Sequence, residues 1–460
     1  MKYVKITAVS ILIFVFLNLF IQSLASIITL KFDCTENRIF RLSDNTKQFL
    51  DTINEDITIY YLTDGGVEYP YVTQTLDCYL KQCRHLKLEK LDMIKNPVSV
   101  ERFKSADSTL SKGMLVVESA ERFKTVDPGS ALVIINEKGN VSQSLGFALE
   151  QKLTNAIDFV IKDKNPTVKY VSGHSGVNFE LPAARLGDEN IATQKIDLSD
   201  ETFSVDDTDL LVLFGLRDDL TSREEEAVRA YLDAGGAVYI AVNPGSDTPK
   251  IKALCSEYGI TVNNDAVTEE NASNIIKNNR LYILAQTVGD EFKELNTEGR
   301  QLLIPATSSL TLSNTQGYTV RSLAKSYETA KTRELLDDAL DALGRGINTG
   351  ETDLAAISEN TNNNSKLFVT ATTQYLMPED ESLEGLLNSY TYINREFFVI
   401  CIKQLIGGDG MSISIAPKSF MSRSLHLTSL TKTVLSTVFI AIPIAVLLFG
   451  IIYRLRRRKL

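Results

Sequence analysis

Gly173, His174, Ser175 and Gly176 follow the run TVKYVS and hold one of the three histidines of the chain. A serine beside a histidine on a turn after an apolar strand could form a nucleophile elbow. There, small flanking residues permit a strained strand-to-helix turn and a histidine takes the serine proton. The G-x-S-x-G pattern needs glycine at its fifth position, where this chain has Val177. The downstream base would be His426, just ahead of a long apolar run, while His85 lies far upstream. The spacing favours a structural or ligand-contacting turn, and a cell-surface serine hydrolase using Ser175 and His174 stays open as the alternative.

Other chemistry finds less support. The five cysteines, Cys34, Cys78, Cys83, Cys255 and Cys401, show no CxxC spacing. Cys78 and Cys83 fall five apart on an expected helix, an awkward separation for a bridge, so free and mostly buried thiols are expected. Scattered histidines leave only carboxylates for a metal, and DDTD (Asp206, Asp207, Asp209) reads as a solvated turn before a strand. No GxxxxGK[ST] occurs, and GRGINTG follows no apolar strand, so it reads as a loop. The expectation is no metal, no cofactor and no enzymatic activity.

The elements around the turn define an α/β protein. FRLSDNTKQFLDTI reads as a helix capped by Ser43, DITIYYL as a strand, Val72 to His85 as a helix and LKLEKLDMI as a strand. A helix near Val98 to Ala106 and strands in GMLVVES and RFKTV complete a β-α-β-α-β-β order, a small and thioredoxin-like domain in 31–164. Leu145 to Ile161 reads as a long amphipathic helix ended by KDKNP. From Thr167 the alternation is clearer: TVKYVS, a helix from Phe179 to Leu186, NIATQKIDLS and the continuous apolar strand DLLVLFG. Then come a helix with Ser222 and Glu225 as capping box and Gly235 and Gly236 as stop, the strand AVYIAV, and a helix from Lys250 to Tyr258. Such order predicts a doubly wound sheet in 165–430, completed by the strand KLFVTAT and a helix capped by Asn394. Residues 265–365 are polar and asparagine-rich and read as a partly mobile insertion. Ligands of open α/β sheets sit at the carboxyl ends of strands, which selects Gly173, His174 and Ser175, with Asn243, Pro244 and Gly245 after AVYIAV, as candidate contacts.

The ends are different in character. Residues 6–30 and 433–453 contain no charged side chain, and at about 1.5 Å per residue each is long enough to cross a hydrocarbon layer of about 30 Å. Lys2 and Lys5 in residues 1–5, with Arg454, Arg456, Arg457, Arg458 and Lys459 in residues 454–460, predict cytoplasmic termini and a basic tail at an anionic membrane surface. A cleaved signal peptide is the alternative for the first run, since Ser23 and Ala25 are small, but its continuation through Ile27, Ile28 and Leu30 favours an anchor. The net charge of −10 includes those basic ends, which makes nucleic acid a poor partner for the remainder.

FRLSDNTKQFLDTINEDITIYYL, LDMIKNP, LEQKLTNAIDFV leading to VKYVSGHSG, the block from DLLVLFG to AVYIAVNP, IPATSSL, NREFFVICIKQLIG and the closing RLRRR together carry a resemblance. In that order the chain resembles the gliding-motility-type (GldG-like) ABC-transporter auxiliary family over nearly its whole length. The resemblance implies a glutamine-amidotransferase-like α/β domain without the reactive cysteine. It also implies a two-span accessory subunit of the bacterial plasma membrane, partnered by separate ABC permease and ATPase chains and by membrane lipid. Relatives often read Gly-His-Gly-Glu where this chain has Gly173 to Gly176, which puts any role of that acidic residue in doubt here. A structural envelope scaffold without a transporter is the remaining alternative.

Overall fold

The computed structural model describes residue 16 and residues 39–419, apart from residues 67, 105–109, 137–142, 200–206, 294, 296–299, 337–338, 388–390, 408–414 and 416. Apart from residue 16, both uncharged runs and the basic tail lie outside the described residues. Among the described residues no helix is long and apolar enough to cross a membrane.

The first elements are α1 (Asp44–Asp51), β1 (Ile57–Thr63), α2 (Pro70–Gln82), β2 (Leu86–Asp92), α3 (Pro97–Glu101), β3 (Leu115–Glu118) and β4 (Phe123–Val126). Ser43 caps α1, its hydroxyl accepting from Thr46 N at 3.2 Å. The strands form a sheet in the order β2-β1-β3-β4, with β1 parallel to β2 and antiparallel to β3. Alternation in β1 sends Ile57, Ile59 and Tyr61 into one core. A hairpin of β5 (Leu132–Asn136) and β6 (Gln143–Phe147) precedes α4 (Leu149–Ile161). That helix starts four residues later than the sequence reading, because residues 143–147 are held in the ladder to β5.

The larger sheet is built around β7 (Thr167–Val171), α5 (Glu180–Asp188), β8 (Ala192–Ile196), β9 (Leu210–Phe214), α6 (Ser222–Asp233), β10 (Ala237–Ala241) and α7 (Pro249–Glu257). β9 and β10 are buried at all five positions. Successive residues of β9 feed opposite cores: Leu210, Val212 and Phe214 meet Phe179 and Leu186 beside α5, while Leu211 and Leu213 meet Val228 of α6 and Leu254 of α7. Covering helices on both faces explain the unbroken apolar run. The capping box of α6 falls one residue earlier than expected: Thr221 accepts from Glu224 N, and the Glu224 carboxylate accepts from Thr221 N at 2.7 Å.

Residues 265–365 are not an irregular insertion. After β11 (Ile260–Val262) they supply β12 (Asp265–Glu269), β13 (Ile275–Ile276), β14 (Asn279–Thr287), β15 (Leu302–Pro305), β16 (Leu310–Leu312), β17 (Tyr318–Lys325), β18 (Ala330–Leu336), β19 (Ala339–Thr349) and β20 (Asp353–Asn360). β21 (Lys366–Thr370) lies parallel to β10 and antiparallel to β20, so β20, β17, β14 and β13 extend the same sheet; β12, β18 and β19 form a separate one. Half-buried and exposed positions alternate over the first five residues of β17, and buried and open positions over most of β18. An antiparallel ladder with one wet face tolerates such polar residues, which is why its sequence looks irregular. GRGINTG accordingly begins within β19 and is not a loop throughout. The chain continues through α8 (Glu381–Leu387), α9 (Asn394–Leu405) and β22 (Lys418–Ser419), which pairs with β6. Asn394 is the first residue of α9 and not its cap; its amide donates to the Leu303 and Tyr375 carbonyls at 2.6 and 2.8 Å.

Candidate functional site

β7 ends at Val171, and Ser172 ties that end to β8 through its backbone N–H and its hydroxyl, both donating to the Ile196 carbonyl. Three successive residues then turn left-handed: Gly173 at φ 88°, His174 at 52° and Ser175 at 48°. Such angles disfavour residues with a Cβ, so the turn needs compensating bonds. The His174 carbonyl accepts from Arg217 N and Asp218 N, each at 3.0 Å, and Gly176 N donates to the Gly173 carbonyl at 3.1 Å. Ser175 Oγ donates to Asp218 Oδ2 at 2.7 Å. The His174 ring has Nδ1 3.2 Å from the Asp218 carbonyl and Nε2 3.2 Å from Glu224 Oε1.

This geometry answers the elbow question. Both His174 nitrogens face other acceptors, and the Ser175 proton points at a carboxylate, so neither side chain is arranged as base to the other. The His85 ring lies at Asp56, on the first sheet, and His426 is outside the described residues. Burial pushes the Glu224 carboxyl upward, but hydrogen bonds from Thr221 and the nearby His174 outweigh it and leave the group below its usual range.

The second candidate group is also internally bonded. Asn243 Oδ1 accepts from Thr373 N at 2.8 Å and from Thr373 Oγ1 at 2.9 Å, and the turn closes through Ser246 N to the Asn243 carbonyl with Gly245 at φ 75°. Pro244 sits within that turn. Gly173 to Ser175 and Asn243 to Gly245 therefore both lie at carboxyl ends of parallel strands but use different partners. Next to them Gly215 is forced by space, since a Cβ would come within 2.6 Å of Thr373 Cγ2 and 2.8 Å of Val177 Cγ2.

Asp218 and Glu224 were not singled out from the sequence. A signal for Glu224 existed: a capping box read at Thr221 and Glu224, in place of Ser222 and Glu225, would have shown its carboxylate occupied by the helix start. Asp218, in a polar loop, gave none.

The remaining candidates resolve into structural pairs. Asp207 binds the buried Lys169, and Asp209 accepts from Thr167 N at 2.7 Å, while Asp206 lies outside the described residues. No group of three metal-capable side chains occurs among the described residues. Cys78, Cys83, Cys255 and Cys401 are free, and Cys34 lies outside the described residues. Burial pushes the Cys255 thiol up to about 12.

Comparison with known proteins now bears on this architecture. The model of the IFT52 GIFT domain family matches residues 185–275. A human protein, the intraflagellar transport protein 52 homolog, is 41% identical over 61 residues, a match spanning 13% of this chain and 14% of that relative. Among solved structures, the mmIFT52 N-terminal domain is similar at 20% identity and a TM-score of 0.39, over 53% of this chain and 98% of that one. A glutamine amidotransferase from Thermotoga maritima is similar at 8% identity and a TM-score of 0.28, over 53% of this chain and 100% of that one. At these TM-scores the two structural likenesses assign nothing to this chain.

The two sequence matches correct the reading by family resemblance. They are to the IFT52 GIFT domain model and to the human intraflagellar transport protein 52 homolog, which overturns the GldG-like ABC-transporter auxiliary reading. The partnership with ABC permease and ATPase chains and with membrane lipid, and the placement as a two-span protein of a bacterial plasma membrane, fall with it. So do the hydrolase and envelope-scaffold alternatives. The reading erred because the quoted motifs are individually weak, and the two apolar runs and the basic tail (Arg454, Arg456, Arg457, Arg458, Lys459) weighed heavily. The expectation that the chain is no enzyme stands with the two matches.

Proposed function

We propose that the chain is a non-catalytic subunit of a multiprotein assembly of the intraflagellar-transport type, binding partner chains through the carboxyl edge of its parallel strands. The match of residues 185–275 to the GIFT-domain model carries this reading. That segment contains Asp218, Glu224 and Asn243 to Gly245, and the 173–175 turn is bonded onto the first two of these. In this reading Gly173, His174, Ser175, Asn243, Pro244 and Gly245 are contact residues whose value is shape: their polar side chains are bonded internally, so they present a fixed outline to a partner. Residues 165–430 then form an amidotransferase-like scaffold without a reactive cysteine, and 31–164 a small part of thioredoxin-like order tied to it where β22 pairs with β6. The buried Cys255 and Cys401, both on helices, support the first of these.

The test is affinity purification of the tagged full chain with mass spectrometry of what accompanies it. Recovery of several chains in comparable amounts, among them proteins similar to other intraflagellar transport proteins, is expected. Recovery of the chain alone from a folded sample overturns the reading.

A further inference from the structure

On the small sheet of β12, β18 and β19, cations outnumber the anions they meet among the described residues. Thr268 stands opposite Lys331 and Ala266 opposite Arg333, so Lys331 and Arg333, two apart, leave the same face. Glu270 is the carboxylate they meet: Lys331 Nζ lies 2.8 Å and Arg333 Nη2 3.2 Å from it, and Arg280 Nη1 stands off at 3.8 Å. A hydrogen bond from Lys331, followed by its charge and that of Arg280, holds the Glu270 carboxyl below the usual range despite some desolvation. One anion thus answers three cations. Glu269 next door is engaged elsewhere, accepting from Glu270 N, Asn271 N and Thr329 Oγ1.

Two of these cations, Arg280 and Arg333, open onto space. Lys277 and Asn278, at φ 53° and 55°, make the tight left-handed turn between β13 and β14 and bring Asn278, Asn279 and Arg280 over the sheet. Between that turn and the sheet lies a cleft of about 620 Å³, lined by Thr268, Asn278, Asn279, Arg280, Arg333 and Leu343. Gly346, opposite Arg333, adds no side chain, and a Cβ there would meet nothing nearer than the Thr332 carbonyl at 4.0 Å. Arg280 is 64% exposed in its side chain and free to reorient.

We propose that this cleft binds an acidic peptide segment of a partner protein, with Arg280 and Arg333 as the carboxylate-recognising residues. Guanidinium forks match planar carboxylates two bonds at a time, and Arg280 and Arg333 set two such forks along one open cleft, where a chain carrying several carboxylates can meet both. Leu343 adds an apolar contact within the cleft, and Lys331 a point charge behind it on Glu270. The chain as a whole carries a charge of −10, so an acidic peptide is not drawn to it generally and its binding reports a local site. This site is separate from the 173–175 turn and stands or falls independently of the function proposed above.

Fluorescein-labelled hexaglutamate, titrated with the full chain and followed by anisotropy, tests the assignment. Saturable binding that weakens as ionic strength is raised to about 0.15 M is expected. Arg280→Glu should weaken it by roughly tenfold or more, and Arg333→Gln by a smaller factor, with thermal midpoints recorded to show that both variants fold. Millimolar inorganic phosphate should not displace the peptide. Absence of binding to the wild type at low ionic strength overturns the proposal, as does binding unchanged in folded Arg280→Glu. Displacement by phosphate at the concentration of the peptide overturns the peptide assignment in favour of a free anion.

Discussion

At the carboxyl edge of the parallel strands, His174, Ser175, Asp218 and Glu224 face one another at 2.7 to 3.2 Å. Above β12, β18 and β19, by contrast, Arg280, Lys331 and Arg333 share one carboxylate across an open cleft. In the first region polar bonds hold a backbone that would otherwise not keep three left-handed residues in a row. In the second no backbone depends on the excess charge, which is left available. A polar cluster whose partners balance fixes the outline of the backbone that carries it, whereas one whose partners are too few leaves charge for a ligand.

The largest effect should come from removing the support of the turn. Glu224 is 4% exposed and serves both Thr221 and His174, so Glu224→Ala deletes half of a capping box and a buried acceptor together. A loss of about 2–3 kcal/mol in urea unfolding is expected, combining a cap worth about 1 with an orphaned polar partner. The pH dependence follows from the depressed carboxyl. Its stabilisation is complete above the ordinary value of 4.5 and disappears as pH falls through the lower folded value. The gap between wild type and Glu224→Ala should therefore narrow as pH falls below about 4.5; a gap that stays unchanged there would contradict the depressed carboxyl.

Next in size is the glycine of the turn. Gly173 has nothing within 4 Å of an added Cβ, so Gly173→Ala isolates the backbone term, about 1–2 kcal/mol of destabilisation at φ 88°. Gly187 of α5 is equally uncrowded but helical, and Gly187→Ala should raise stability by about 0.5–1 kcal/mol. Equal effects at the two positions, read from thermal midpoints, would mean that the turn is not strained. At Ser175 the two terms separate: Ser175→Ala keeps the strain and loses the bond to Asp218, about 1 kcal/mol, whereas Ser175→Gly loses both and should come out near neutral.

How much of this could be read from the chain depends on which physical signal each region carries. DLLVLFG and AVYIAV announced buried parallel strands because both faces are apolar, and the glycines placed the turns at 173 and 245. The ladder from β12 to β20 escaped notice because strands such as β17 and β18 carry polar residues on an open face; TAKTRELLDDALDALGRGINTG reads as a mobile stretch until Arg333 is paired with Gly346 across a bulge. The candidate turn was legible as a place but not as a state, since its partners Asp218 and Glu224 lie 43 and 50 residues from the groups they hold. The cleft could not be read at all: Thr268, Arg280 and Arg333 are brought together only by register.

The smallest expected effect is the one that sharpens the comparison most. Arg280 is largely exposed and sits beyond hydrogen-bond distance of Glu270, so Arg280→Glu should change unfolding stability by less than about 0.5 kcal/mol while abolishing most hexaglutamate binding. Arg333→Gln also removes contacts to Thr268 Oγ1 and Glu270, and should cost somewhat more in stability for a smaller loss of binding. Opposite rankings in the two assays are what a charge kept for a partner requires, because a residue retained for folding loses both together. If Arg280→Glu instead destabilised the chain by as much as Glu224→Ala, its charge would belong to the fold, and the contrast between the closed turn and the open cleft would disappear.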